Sequence, residues 1–360
     1  LITDAMVWKV LQNKDGLTVN EDHVVAITNG GGIRAAIKAG DVTKKDINTV
    51  LPFGNTVAVV YVTGEQLLEA LEASTYCTPG AVGGFPQVSG INFTIRTGKD
   101  YDANKDTYPG STYYGPASIN RVTINSINGK EFKTNEIYAV VTNNFCAAGG
   151  DTYYAFAAAS AQFDTGIPLD EAVMEYVTTE LKGVIGEKYA APQGRISYFN
   201  PFSDVKTTAW YFNYMINLYE DGVIAGTSAT TYDPSASLTW GAALKLLLVS
   251  HGDLKAEDAT GADWLKNTLA KAVELGLAPE DVDGKALITR LAFCQTAAKL
   301  NKLEESKNDS IFTDCKDGYV MALVDAEVIT GMTENTFEPE ALLTRAQIAK
   351  IIYQLNLIEK

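Results

Sequence analysis

The stretch best suited to chemistry is Asn29-Gly30-Gly31-Gly32-Ile33-Arg34. Three glycines remove every Cβ and open φ > 0, so another group can approach the main chain and meet its amides. Arg34 adds a planar, permanently charged fork suited to phosphate or carboxylate. The simpler alternative is a tight turn with a surface arginine. The loop lacks both the Gly-x-Gly-x-x-Gly order and a Gly-Lys-Ser/Thr ending, which excludes dinucleotide and P-loop readings.

A strand must deliver this loop. Val24-Val25-Ala26-Ile27-Thr28 is an apolar β-branched run of the kind buried on both faces. The spacing predicts a helix over 3–12, a short helix ending near Val50, a second strongly β run over 57–62 and a strand over 91–96. Thr63-Gly64-Glu65-Gln66 has the capping-box form, starting a helix that carries Leu67, Leu68 and Leu71. The segment from Gly80 to Gly90 reads as a loop, as do the Gly-, Tyr- and Asp-rich residues 97–118. Val122-Thr123-Ile124, Asn128-Gly129 and Tyr138 to Thr142 read as strand, tight turn and strand, and a helix is expected from Asp170 to Leu181.

With 360 residues the chain has room for two or more domains. Its 44 acidic residues exceed its 29 basic ones and give a net charge of -15, which disfavours nucleic-acid binding. No apolar run is long enough for a transmembrane helix. Cys77, Cys146, Cys294 and Cys315 are too few and too scattered for a disulfide framework or CxxC metal site, although a Cys294–Cys315 pairing stays open. His23 and His251 are far apart and lack acidic ligand spacing, so a His-rich metal centre is not expected. The opening Leu1-Ile2-Thr3-Asp4-Ala5-Met6 has neither an initiator Met nor a signal-like region, and reads as cut from something longer.

The character changes at Phe202, where a unit begins to repeat. Phe202-Ser203-Asp204-Val205 returns as Phe312-Thr313-Asp314-Cys315, and Thr231-Tyr232-Asp233-Pro234 as Thr336-Phe337-Glu338-Pro339. Helical stretches begin at Thr239, Thr289 and Thr344, a spacing of about 50 residues, which makes three copies with a worn middle one.

Several motifs in the first half occur together and in register. These are Ile2-Thr3-Asp4-Ala5-Met6, Asn29–Arg34, Leu51-Pro52-Phe53-Gly54-Asn55, Thr63-Gly64, Gly84-Phe85-Pro86-Gln87 and Asn144-Phe145 through Gly149-Gly150-Asp151. In this order they resemble the C-terminal, substrate-recognition domain of the 5′-nucleotidase and UDP-sugar hydrolase family. The resemblance implies an α+β domain over 1–199 with layered α/β/β/α architecture. It implies a nucleoside base between Phe85 and Phe145, ribose on Asp151 and phosphate beside Arg34, with Asn29, Gly31, Gly32 and Gln87 also lining the pocket. Without it, Phe85 and Phe145 read as core aromatics and Asp151 as a turn residue. Some relatives carry further arginines where this chain has Gly30 and Glu65. The family cuts phosphate esters with two divalent metal ions held in a separate N-terminal domain. The sequence holds no such His/Asp/Asn cluster, so no cofactor is expected on this chain, which reads as a fragment able to recognise a nucleotide.

Residues 202–360 resemble three S-layer homology repeats, helical modules forming an all-α pseudo-trimer, expected at 200–256, 257–306 (degenerate) and 307–360. The resemblance places Arg290 and Arg345 on an acidic, pyruvylated secondary cell-wall polysaccharide, while the first copy has Trp240 in their place. The plainer alternative is arginines that start helices and face solvent. Together the halves imply an extracellular, wall-anchored nucleotidase. A second reading is a non-catalytic surface protein with a vestigial nucleotidase-like domain.

Overall fold

The computed structural model describes residues 1–98, 115, 116 and 118–358. Most of the loop expected at 97–118 lies outside the described residues. The chain divides into two units, Leu1–Phe199 and Asn200–Lys360.

The first unit runs α1 (Ile2–Leu11), β1 (Val24–Asn29), α2 (Lys44–Val50), β2 (Thr56–Thr63), α3 (Gly64–Ser74), β3 (Pro86–Ser89) and β4 (Ile91–Ile95). It continues with β5 (Val122–Ile127), β6 (Ile137–Asn143), α4 (Asn144–Ala147), α5 (Tyr154–Ala157), β7 (Ala161–Pro168), α6 (Leu169–Glu175) and β8 (Ile196–Tyr198). A five-stranded sheet has the order β3-β1-β6-β2-β7, and a three-stranded sheet the order β5-β4-β8. β1 is buried along its whole length, as its β-branched run predicts for an inner strand. On one face of the larger sheet, Ala5, Met6, Ile47 and Val173 from α1, α2 and α6 cover Val24, Ala26, Val59 and Val141. On the other face, Val25, Ile27 and Val60 share a core with Leu67 and Leu71 of α3 and with Phe93, Ile95 and Ile124 of the smaller sheet.

The capping box read at Thr63 forms: the Gln66 amide donates to Thr63 Oγ1, and the Thr63 amide donates to Gln66 Oε1. The Asn128-Gly129 turn also forms, with φ of 46° and 76°. It does not join a hairpin of two long strands, however. β5 pairs with β4, whereas β6 leaves to sit between β1 and β2 in the larger sheet.

The second unit is helical: α7 (Phe212–Glu220), α8 (Trp240–His251), α9 (Trp264–Glu274), α10 (Arg290–Leu300), α11 (Gly318–Asp325) and α12 (Arg345–Asn356). Thr239, Thr289 and Thr344 each cap a helix, their hydroxyls accepting the amides of Ala242, Ala292 and Gln347. The three helix starts pair head to tail. The Trp240 amide donates to Ala286 O at 2.9 Å, Arg290 to Ala341 O at 2.7 Å, and Arg345 back to Ala236 O at 2.9 Å. The circuit closes on itself, so the repeats form a pseudo-threefold ring. The repeated aspartates have one job: Asp204 accepts the amides of Tyr232 and Asp233, and Asp314 those of Phe337 and Glu338. Those turns hold Asp233 and Glu338 at positive φ.

Candidate functional site

Four strand ends meet at one end of the larger sheet. β1 ends at Asn29 opposite Pro86, where β3 begins, and β6 ends at Asn143 opposite Val57, near the start of β2. The loops leaving these ends carry Arg34, Gly83 to Phe85, Phe53 and Phe145 to Asp151. One end of one sheet therefore gathers residues far apart in sequence.

The glycine loop differs from the amide cradle expected of it. The Gly30 amide donates to Phe85 O and the Gly31 amide to Gly83 O, both at 2.8 Å, while Ile33 and Arg34 donate to Gly30 O and Val50 O. Those four N–H groups hold loops together and are not available to an anion. The glycines serve packing instead, since a β-carbon on Gly31 would lie 3.1 Å from the Gly83 backbone. Arg34 is exposed, its Nη1 donating to Gly31 O at 3.1 Å and its guanidinium lying 5.9 Å from the centre of the Phe53 ring.

Asp151 is only 7% exposed and sits at φ +53°, a conformation that Asp tolerates better than most residues. Its Oδ2 accepts Asn29 Nδ2 at 2.7 Å, and Asn29 Oδ1 in turn accepts Asn143 Nδ2 at 2.9 Å. Phe145 is 43% exposed, with its ring laid over Gly150. Gln87 is half-buried and donates to Pro86 O. Cys146, beneath Phe145, is buried, and burial pushes its thiol up to about 12, so it packs rather than reacts.

The Phe85 ring is half-buried and packs against the core, while the Phe85 carbonyl accepts the Gly30 amide. Phe53 is 60% exposed and lines a small cavity with Thr28, Gly32 and Asn143. Asn144 Oδ1 accepts the Thr56 amide at 3.2 Å, which brings the Phe53 turn beside the residue preceding Phe145. In the sequence this ring sits inside the Pro52-Phe53-Gly54 turn at the mouth of a strand.

In the second unit both motif arginines tie one repeat to the next. Arg290 is 6% exposed, lies 4.7 Å from the centre of the Phe337 ring and donates to Thr330 O at 2.7 Å. Arg345 is half-buried, lies 4.6 Å from the centre of the Tyr232 ring and donates to Tyr232 O and Ala225 O. Trp240 occupies the third equivalent position.

Neither histidine offers a metal site. His23 is held between Asp22 and Glu136, both at 2.7 Å, and its pKa is raised first by the Glu136 contact and then by Asp22. His251 faces Asp253. Among the described residues no group of three His, Cys, Asp or Glu side chains could hold a metal ion, and no helix is long and apolar enough to cross a membrane.

Comparison with known proteins identifies the two parts of the chain. The 5′-nucleotidase C-terminal domain model matches residues 1–158, and the S-layer homology domain model matches 201–241 and 314–349. The trifunctional nucleotide phosphoesterase YfkN of Bacillus subtilis is 40% identical over 174 residues, 48% of this chain and 11% of that protein. A 5′-nucleotidase of Vibrio cholerae is 31% identical over 48% of this chain and 27% of its own length. A 5′-nucleotidase precursor from Thermus thermophilus aligns with 55% of this chain and 34% of its own at a TM-score of 0.42, with 33% sequence identity. The chain thus spans between a tenth and a third of these relatives. It carries a 5′-nucleotidase C-terminal domain over residues 1–158, followed by S-layer homology sequence over 201–241 and 314–349.

Proposed function

We propose that the first unit recognises a nucleotide on behalf of a wall-anchored hydrolase of the 5′-nucleotidase type. The observation that carries this reading is the meeting of Arg34, Phe145 and Asp151 at one end of the larger sheet, in a domain of that family. Arg34 takes the phosphate, and the Asp151 carboxylate accepts from the ribose hydroxyls. The base stacks on Phe145, with Phe53 in place of Phe85 as the second ring. Asn29 steadies Asp151; Gly31, Gly32 and Gln87 shape the wall beside it.

The described residues do not fit the family's two divalent metals, because no ligand set exists among them. On this proposal, recognition falls to this chain and the metals to a separate catalytic domain. The second unit anchors the protein at the cell surface by binding acidic secondary cell-wall polysaccharide, with Arg345 the better-exposed of the two motif arginines.

Calorimetric titration with adenosine and AMP tests this. Both bind, Phe145→Ala weakens both by about 1–3 kcal/mol, and Arg34→Ala weakens AMP far more than adenosine. No heat from either ligand with the folded chain overturns the reading and leaves the vestigial, non-catalytic one.

A further inference from the structure

Asn143 is 1% exposed and lies one residue before α4, whose second residue is Phe145. Its orientation is fixed from outside. The Cys146 backbone N–H can only donate, so the Asn143 atom facing it at 2.8 Å is Oδ1. Asn143 Nδ2 must then face the other way, where it donates to Thr28 Oγ1 and Asn29 Oδ1, both at 2.9 Å. With its oxygen claimed, Asn29 has only Nδ2 to turn toward Asp151 Oδ2, at 2.7 Å. A flipped Asn29 would set oxygen against carboxylate and amide hydrogen against amide hydrogen.

The direction of this relay thus originates in one backbone N–H and ends at the carboxylate. We propose that Asn143 is a positioning residue that, through Asn29, aims Asp151 at the sugar hydroxyls of a bound nucleoside. The inference rests on the nucleotide reading above. Asn29 and Asp151 are 5% and 7% exposed, so a misdirected donor cannot readily be replaced by water. Asn143 touches neither sugar nor base, and its effect is confined to what Asp151 recognises.

The test uses the full chain and the variants N143D and N143S. Both keep an oxygen to cap the Cys146 amide; ionised aspartate has no donor for Asn29, and serine's one hydroxyl sits on a side chain too short to serve both ends of the relay. Each is titrated with adenosine and with 2′,3′-dideoxyadenosine, which lacks the hydroxyls. N143D should bind adenosine about tenfold more weakly, the scale of one hydrogen bond to a charged group, and dideoxyadenosine unchanged. N143S should shift the same way by less, and it carries the test if N143D does not fold. Asp151→Ala should erase the difference between Asn143 and its variants. Equal weakening of both ligands, or no change in either, overturns the relay while leaving the nucleotide reading intact. Failure of the unsubstituted chain to bind either nucleoside overturns both.

Discussion

The Phe145 ring lies so close to Gly150 that a β-carbon there would come within 2.5–2.7 Å of three ring carbons. Gly150 is thus the seat of the ring, and its lack of a side chain sets the ring's height above the sheet end. Gly150→Ala should displace the ring, at a cost of about 1–3 kcal/mol of overpacking shared between stability and binding. Adenosine affinity should fall while the fold survives, as calorimetry and circular dichroism together would record. An unchanged affinity would mean that Phe145 does not stack on the ligand.

Arg121 knots another part of the same unit. It is 2% exposed and donates to the carbonyls of Tyr76, Thr78, Arg96 and Thr97, while Glu72 accepts the amides of Ile119, Arg121 and Val122. Arg121→Met would leave several buried carbonyls without donors and should cost about 3–5 kcal/mol. Hydrogen exchange in β4 and β5 should accelerate accordingly. Exchange as slow as in the unsubstituted chain would show that the knot contributes little.

Asp4 gives the first unit an acid limit. Burial raises its pKa, but hydrogen bonds from Arg195, Ser89 and Tyr189 outweigh this and bring it down to about 2. The ionised carboxylate therefore stabilises the fold fully above its ordinary value near 3.8. That stability is lost as pH falls toward about 2, and amounts to about 2 kcal/mol. In urea titrations the gap between the unsubstituted chain and Asp4→Asn should hold near neutral pH and shrink below pH 4. A gap independent of pH would refute this.

What could be read in the sequence was local. The β-branched runs of β1, β2 and β6, the Thr63–Gln66 box and the three threonine caps each follow from a few neighbouring residues. β3 opens on a proline after a glycine loop, and β7 is an exposed edge strand broken by Gly166 and ended by Pro168, so neither carries a strand-like pattern. The Asn128-Gly129 turn was legible, but the destination of β6 was not, because pairing is decided by distant strands. The same division holds at the site. The loops bearing Arg34, Phe145 and Asp151 leave one end of one sheet, and Asn29 donates to Asp151. The carbonyls that accept the Gly30 and Gly31 amides lie some fifty residues away, and the exposure of the Phe53 ring does not follow from its turn motif.

Arg290 and Arg345 can be told apart by separating ring closure from anchoring. Each lies over an aromatic ring of the next repeat, but Arg290 is buried and Arg345 only half so. Arg290→Ala should cost about 2–4 kcal/mol through lost packing and an orphaned Thr330 carbonyl. Arg345→Ala should cost about 1 kcal/mol. Three of the four tryptophans, Trp210, Trp240 and Trp264, lie in the second unit, so their fluorescence follows its unfolding. Retention on purified cell walls should drop for Arg345→Ala with melting nearly unchanged, whereas Arg290→Ala should lower both. Equal melting of the two variants would refute the burial-based ranking, and full retention of the double variant would remove the glycan role from both arginines.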